Sequence, residues 1–455
     1  MDHDSEADRL SARAARYARL GVNAGALAAR VGVNRLRGGG RAADAKALAF
    51  ALGSMKGPLM KVGQLLATIP EALPQDYANE LMKLQSQAPP MGAAFVRRRM
   101  QAELGADWRE RFSEFDLKPA AAASLGQVHK ARSLKGEWLA CKLQYPDMAS
   151  AVETDLAQLD LVFSLHRRMS AAIDTREIAG EIRERVREEL DYEREARIAR
   201  LYRLMLADRP FVRVPRIEES LSTRRLLTMQ WLNGEKLTRF ESAPQEARNA
   251  ITVGLFEAWW RPFLRYGVIH GDPHLGNYAV AAKGREEALE VEGIDLFDYG
   301  CVRVFPPRFV LGVVELYRGF KAGDKARIEQ AYEMWGFSGL SRGALDAMNI
   351  WARFLCGPIL DDRVRTAADG VSPGEYGRKE LGQVMRALRA DGGGLVVPRE
   401  FVFLDRATIG LGGAFLRLGA RLNFHRLYED AIEGFGEEAV AERQAAALRA
   451  VGLAQ

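Results

Sequence analysis

The first hundred residues scatter Leu and Val among many Ala and Arg residues, a pattern that favours helices over strands. Arg37–Arg41 contains three consecutive glycines and predicts a flexible link, and Pro89-Pro90 predicts a second break. The predicted helices cover residues 1–36, 44–66, 75–84 and 93–104. We therefore expect a helical unit at the N-terminus.

The pattern changes near Phe112, where short apolar runs separated by polar turns predict strands. We expect a strand, a small-residue loop over Ala120–Gly126, a second strand, a polar turn and a third strand that carries Lys142. Two long helices over 149–172 and 176–208 are predicted next. Strands are then predicted over 211–214 and 225–232, followed by a helix over 244–266.

A polar, glycine-containing stretch starts at His270 and ends at Gly300. Within it, Tyr278–Ala282 and Leu289–Phe297 predict two strands joined by a polar turn. Such a pair would place Asn277 beside Asp298 although the two are far apart in sequence. The chain after Pro306 is predicted to be helical, with a break at Gly392–Gly394.

Three polar residues in this stretch have the order used in phosphoryl transfer. Asp272 is followed five residues later by Asn277, and Asp298 is followed by an aromatic residue and glycine. The first Asp would orient or deprotonate a nucleophile, while Asn277 and Asp298 would supply hard oxygen ligands for Mg²⁺. The plain alternative is a turn rich in Gly, Pro and Asp followed by an unrelated Asp.

Lys142 lies on a predicted strand after the small-residue loop, where kinases keep the lysine that contacts the α- and β-phosphates. An exposed strand lysine is the alternative. Its carboxylate partner should come from the second long helix, and periodicity does not choose among the five acidic candidates there, Glu188, Glu189, Asp191, Glu193 and Glu195. The loop has alanines where kinases have glycines, so we expect nucleotide binding with altered phosphate positioning.

Gly271 replaces the arginine that precedes the catalytic Asp in protein kinases, and little sequence separates Gly300 from Pro306. We therefore expect a phosphotransferase without machinery for a protein substrate. His270 and His274 are four residues apart, but Pro273 excludes the helix that a zinc pair would need. Both are predicted to be structural.

Composition indicates the compartment of the protein and does not change the phosphotransferase prediction. The 455 residues carry a formal net charge of +5 and three cysteines, an odd number without paired spacing. A reducing compartment and no metal–thiolate site follow. The sequence has neither an apolar run long enough to span a bilayer nor the apolar core of a signal peptide. We expect a cytoplasmic protein, soluble or peripheral at the inner face of the membrane.

Together these motifs resemble the UbiB family of atypical protein-kinase-like proteins. The stretch containing Lys61 and Gln64 is similar to the KxGQ signature of that family, and Glu189 with Asp191 is similar to its ExD motif. Glu195 then falls where the lysine-pairing glutamate is expected. The alanine-rich nucleotide loop of the family is matched by Ala121, Ala122, Ala123, Ser124 and Gln127.

The resemblance implies an α+β, bilobal protein-kinase-like fold with an N-terminal helical extension. The expected domains are 1–111 for the extension, 112–233 for a strand-rich N-lobe with a helical insertion, and 234–455 for a helical C-lobe. The extension would block the peptide cleft, with Lys61, Gln64 and Glu189 over the active site. ATP or ADP would bind with Mg²⁺, the adenine pairing with the backbone between Gln230 and Leu232. Tyr299 stands where the family usually has Phe.

Three functions are compatible with these motifs. The first is a UbiB-like atypical kinase or ATPase supporting isoprenoid quinone (ubiquinone) or lipid biosynthesis, with Asp272, Lys142 and Glu195 as catalytic residues. A nucleotide, a lipid or quinone precursor, an anionic membrane surface and quinone-biosynthesis proteins would be its partners, and nucleic acid would not. The second is a small-molecule phosphotransferase of the aminoglycoside or choline kinase type. The third is a nucleotide-gated binding scaffold without useful turnover.

Overall fold

The computed structural model describes residues 91–453 except 124, 147, 149–151, 154–183, 185–186, 285–288, 338, 372–376 and 391–397. Contacts divide the chain into two units, the first comprising residues up to Arg194 plus Ile217–Trp231, and the second Glu195–Arg216 plus Leu232–Gln455. The three predicted domains stay a prediction. The predicted helices over 1–36, 44–66 and 75–84, most of the helix over 149–172, and the break at Gly392–Gly394 lie outside the described residues.

A four-stranded antiparallel sheet forms the centre of the first unit, in the order β1-β2-β3-β5. Its strands are β1 (Phe112–Ala123), β2 (Gly126–Ser133), β3 (Trp138–Gln144) and β5 (Leu226–Gln230). Short 3-10 turns cover Trp108–Arg111 and Glu219–Leu221. The predicted strand order along the chain is confirmed.

Helix α1 (Ala93–Leu104) covers one face of this sheet. Its Val96, Met100 and Leu104 recur every fourth residue and are buried, as expected of an amphipathic helix. Alternate residues of β3, among them Cys141, point into the same core. Lys142 therefore lies on the opposite face of β3 from that core.

Two sequence-based expectations about this unit are wrong. Ala120–Ala123 do not form a loop, because they are extended and end strand β1, with Ala123 paired to Gly126. The second long helix is not continuous, because Glu189 and Leu190 form a turn and α2 (Tyr192–Met205) starts afresh. Asp191 accepts a hydrogen bond from the backbone N–H of Arg194 at 2.9 Å, which is the geometry of an N-cap.

The second unit combines helices with two small sheets. Strands β4 (Val212–Arg213), β8 (Glu290–Leu296) and β7 (Tyr278–Lys283) form one sheet, in which β4 is parallel to β8. Strands β6 (Val268–His270) and β9 (Val302–Val304) form the other. The remaining described helices are α3 (Gln245–Tyr266), α4 (Pro307–Ala322), α5 (Lys325–Met334), α6 (Arg342–Cys356), α7 (Arg378–Ala390), α8 (Arg399–Leu418), α9 (Phe424–Ile432) and α10 (Glu437–Ala450). The 3-10 turns are Leu237–Phe240 and Gly357–Leu360.

Helix α3 leads directly into the predicted site and has a buried face. Its residues Ile251, Leu255, Trp259 and Phe263 form a stripe at spacing four and are fully buried. The helix ends at Gly267, whose φ of 64° is left-handed and favours glycine. The chain passes from there into β6 and the His270 stretch. The helical prediction for the chain after Pro306 is confirmed in its described parts.

Candidate functional site

The loop from His270 to Asn277 closes on itself through the amide of Asn277. Its Nδ2 donates to the backbone oxygen of Asp272 at 3.0 Å, and its backbone N–H donates to the oxygen of His274 at 2.9 Å. Asp272 and Asn277, the two predicted residues of this loop, are thus held together by a direct hydrogen bond. Asp272 is buried, with 6% of its surface exposed.

His270 connects this loop to the Asp298 segment. Its Nδ1 accepts the backbone N–H of Asp272 at 3.1 Å, and its Nε2 lies 2.5 Å from the backbone oxygen of Asp298. Because an N–H only donates and a carbonyl only accepts, these partners assign the proton to Nε2. His274 likewise uses its Nδ1 to accept the N–H of Gly276. These contacts favour the structural roles predicted for both histidines.

The predicted strand pair places Asn277 next to the Asp298 segment. Tyr278 pairs with Leu296 in the β7–β8 ladder, and one residue further the N–H of Phe297 donates to the oxygen of Asn277 at 3.0 Å. Asp298 follows directly, and its Oδ1 accepts the N–H of Gly300 at 2.9 Å. The predicted juxtaposition is confirmed at the level of the backbone.

The donor groups of Asn277 and Asp298 fit Mg²⁺. This ion prefers oxygen ligands and is usually held by one or two protein groups together with waters and substrate phosphates. No three His, Cys, Asp or Glu side chains converge as a metal cluster in the part of the chain that the structure describes.

Arg406 is a residue of this site that the sequence did not reveal. From α8, its Nη2 lies 2.8 Å from Oδ1 of Asp272, and each side chain is 9% exposed. Gly271 showed that the usual neighbouring arginine is missing, but no local signal indicates that a cation 134 residues later in sequence contacts Asp272.

Lys142 is placed in the first unit as predicted, on the central strand β3. It pairs with Val128 of β2 and Leu227 of β5, and it is only 7% exposed. Its Nζ lies 5.1 Å from the ring centroid of Tyr192, within the range of a cation–π contact. A buried strand lysine excludes the alternative of an exposed one.

Glu195 belongs to the second unit and is 2% exposed. Its Oε1 lies 3.5 Å from the backbone nitrogen of Tyr299, so α2 contacts the segment that carries Asp298. The ion pair between Lys142 and Glu195 stays a prediction, because the two residues belong to different units. Glu189 is buried within the first unit, and Lys61 and Gln64, its expected neighbours, lie outside the described residues.

Gln127 of the alanine-rich motif makes its hydrogen bonds within the protein. Its Oε1 accepts the N–H of Met91 at 2.7 Å, and its Nε2 donates to the oxygen of Met91 and to Nε2 of His129. Burial lowers the pKa of His129, in keeping with a neutral ring that accepts this bond and donates from Nδ1 to the oxygen of Asp116. These contacts favour a structural role for Gln127, and its contact with nucleotide stays a prediction.

The remaining nucleotide-binding candidates keep the status of predictions. Ala121 and Ala122 pair with Val128 and Gln127 in the hairpin, and Ser124 lies outside the described residues. Gln230 ends β5 opposite Leu139. The next backbone N–H, that of Trp231, donates to the oxygen of Trp138 at 2.9 Å. Leu232 is half-buried and starts the second unit.

Comparison with known families identifies the chain. The sequence model described as the ABC1 atypical kinase-like domain matches residues 83–332, more than half of the chain. The chain belongs to the ABC1 family. The resemblance to UbiB proteins is thereby confirmed, and with it the α+β kinase-like fold with a strand-rich and a helical lobe.

Relatives of this ABC1 protein include "Atypical kinase coq-8, mitochondrial" of Caenorhabditis elegans, 29% identical over 324 residues that cover 70% of this chain and 42% of the relative. "Atypical kinase COQ8, mitochondrial" of Saccharomyces cerevisiae is 30% identical over 281 residues, 62% of this chain and 54% of the relative. The chain therefore spans about half the length of the curated relatives it matches.

Among solved structures, the complex of Rv3197 with erythromycin from Mycobacterium tuberculosis is similar to the ABC1 chain. It is 28% identical with a TM-score of 0.58, over 85% of this chain and 95% of that one.

Across the described ranges, no helix combines the length and apolar character needed to cross a membrane. The three cysteines, Cys141, Cys301 and Cys356, form no disulfide.

Proposed function

We propose that this ABC1 protein is an Mg²⁺-dependent atypical kinase or ATPase that binds ATP or ADP. The observation that carries the proposal is the His270 ring, which joins the loop of Asp272 and Asn277 to the backbone of Asp298. Phosphoryl transfer depends on positioning and on electrostatic stabilisation, so a rigid link between these residues is what the reaction needs.

Each residue has a proposed role. Asp272 orients the attacking water or hydroxyl, and Lys142 contacts the phosphates with Glu195 as its partner. Asn277 and Asp298 hold Mg²⁺, which would neutralise charge on the phosphate oxygens when bound. Lys61, Gln64, Glu189 and Asp191 are proposed to regulate access, as the family resemblance implies.

The proposed setting is isoprenoid quinone or lipid biosynthesis. Two relatives carry the names of COQ8 atypical kinases, and the resemblance to UbiB proteins supports ubiquinone formation. A phenolic quinone precursor and an anionic membrane surface would be the ligands, at the cytoplasmic face. The family similarity supports this assignment, and the site itself supports the phosphoryl chemistry.

The test is ATP turnover by the purified full chain with Mg²⁺, alone and with anionic liposomes plus a phenolic quinone-precursor mimic. Asp298→Asn is the test variant. Asp362→Asn, an exposed Asp that binds Asn423, is the matched control. Turnover that is stimulated by the additions, lost in Asp298→Asn and kept in Asp362→Asn supports the proposal.

Two results would contradict it. ATP consumption only in the presence of a hydroxylated small molecule would indicate a phosphotransferase of the aminoglycoside or choline kinase type. Tight nucleotide binding without any turnover would indicate a binding scaffold.

A further inference from the structure

Helix α8 contacts the Asp272 loop at two places one helical turn apart. Arg406 forms the buried ion pair with Asp272, at 2.8 Å. Four residues later, Gly410 faces Pro273 so closely that a Cβ atom on it would lie 2.2 Å from Cγ of the proline. Residues four apart share a helix face, so one face of α8 lies directly against the loop.

Helix α8 also contacts helix α6. The Nε1 of Trp351 donates to Oδ2 of Asp405 at 3.0 Å, next to Arg406 in sequence. Ala407, Leu411 and Leu418 are buried. Arg406 is therefore presented by an element that has its own packing, not by a mobile surface side chain.

We propose that Arg406 is a positioning residue for Asp272, so that helix α8 completes the catalytic site from outside the segment that the family model matches. The inference rests on the proposed function. A guanidinium at Oδ1 fixes the rotation of the Asp272 carboxylate, and Gly410 allows the backbone of α8 to come close enough for that contact. The segment 83–332 alone would then lack a part of the site.

Asp272 needs a positioning residue because the rate of phosphoryl transfer depends steeply on geometry. Asp272 must present one oxygen to a water or hydroxyl in line with the phosphate, and a displacement of about 1 Å can cost about 100-fold in rate. The backbone of Asp272 is held by His270 and Asn277. Neither contact restrains the rotation of its carboxylate, and the Arg406 contact does.

The first experiment compares Arg406→Gln and Arg406→Lys with Arg417→Gln. Arg417 lies on the same helix, pairs with Glu241 and is exposed, so it controls for loss of a charge from α8. We expect Arg406→Gln to lower kcat about 10- to 100-fold while the KM for Mg-ATP changes less than about threefold. Arg406→Lys should recover part of the loss, and added guanidinium should raise the kcat of Arg406→Ala.

A second pair of variants tests the close approach of α8 to Pro273 without changing a charged residue. Gly410→Ala would push α8 away from Pro273, whereas a Cβ at Gly413 of the same helix has nothing within 4 Å. We expect Gly410→Ala to lower kcat in the same direction as Arg406→Gln, and Gly413→Ala to keep wild-type kcat within about twofold. If Arg406→Gln does not fold, the comparison of Gly410→Ala with Gly413→Ala tests the proposal instead.

The outcomes separate this inference from the proposed function. An inactive wild-type protein would overturn both. An active wild type with Arg406→Gln and Gly410→Ala at normal kcat would overturn the positioning role alone. A loss that appears only in KM, or that Arg417→Gln shares, would also overturn it.

Discussion

The Nε2 atom of His270 lies 2.5 Å from the backbone oxygen of Asp298, while Nδ1 of the same ring accepts the N–H of Asp272. His270 is 1% exposed, and its ring lies tilted by 42° against that of Trp259, whose Nε1 donates to the backbone oxygen of His270. The Asp272 loop and the Asp298 segment are therefore joined by the His270 ring, whose two nitrogens have different partners.

The two contacts of this ring can be tested separately. In His270→Gln the amide nitrogen can replace Nε2 and donate to Asp298, whereas in His270→Asn the amide oxygen can replace Nδ1 and accept from Asp272. We expect His270→Gln to bind ADP in the presence of Mg²⁺ about 5- to 10-fold more tightly than His270→Asn. The reason is that Gln keeps the hydrogen bond to Asp298, and a hydrogen bond contributes about 1 kcal/mol. Titration calorimetry with and without Mg²⁺ measures it, and equal affinities would show that the Asp298 contact does not support the metal site.

Arg213 and Asp295 form a two-pronged ion pair in the second unit, with distances of 2.5 and 3.0 Å. Oδ2 of Asp295 also accepts the N–H of Gly234 at 2.9 Å. The Asp295 side chain is fully buried and the Arg213 side chain is 32% exposed. Removing the arginine thus leaves a buried charge, whereas removing the aspartate leaves an arginine that water reaches.

We expect Arg213→Gln to lower the free energy of unfolding by about 3–5 kcal/mol and Asp295→Asn by about 1–3 kcal/mol. The smaller loss reflects the amide oxygen of Asn, which can still accept from Gly234. Urea unfolding of both variants measures the two values. A larger loss in Asp295→Asn than in Arg213→Gln would show that Arg213 is not the dominant partner of Asp295.

Asp405 gives the protein a dependence of stability on pH. Burial raises the pKa of Asp405 to about 7, although the hydrogen bond from Trp351 works in the opposite direction. The folded protein holds a proton that the unfolded chain has released between about pH 4 and pH 7, so stability falls as the pH rises through this window. The full effect above pH 7 is at most roughly 4 kcal/mol.

Asp405→Asn should remove this loss, because the amide cannot ionise and its oxygen can still accept from Trp351. We expect the wild type to lose more stability than the variant between pH 5 and pH 8. Urea unfolding at both pH values gives the comparison, and equal pH dependence in the two proteins would refute the assignment.

Gln127 is expected to stabilise the folded protein through its hydrogen bonds to the backbone of Met91. Gln127→Leu would leave the buried N–H and oxygen of Met91 without their partner, at about 1–3 kcal/mol for each group. Gln101→Leu, at an exposed position of α1, should stay within about 0.5 kcal/mol of the wild type. Thermal unfolding and ADP binding distinguish the roles, and lost ADP affinity at unchanged stability would assign Gln127 to the nucleotide.

The sequence alone predicted the features that depend on local pattern. The Asp272–Asn277 spacing, the β7–β8 pair that aligns Asn277 with the Asp298 segment, and the strand position of Lys142 follow from turn residues and apolar runs between neighbours in the chain. The alanine run was assigned to a loop because Pro119 and Gly126 flank it, whereas pairing with Gly126–Val128 holds it extended as the end of β1. The break at Asp191 was missed because an N-cap inside an apolar periodicity gives little signal.

Only the tertiary structure decided which distant groups meet. Arg406 reaches Asp272, Gly410 touches Pro273, and Arg213 pairs with Asp295 across 82 to 137 positions of sequence. An isolated Arg or Gly on a helix looks the same in sequence whether it faces water or a catalytic loop. The partner is selected by the packing of whole helices and sheets, and that packing depends on the entire buried surface rather than on any short stretch of residues.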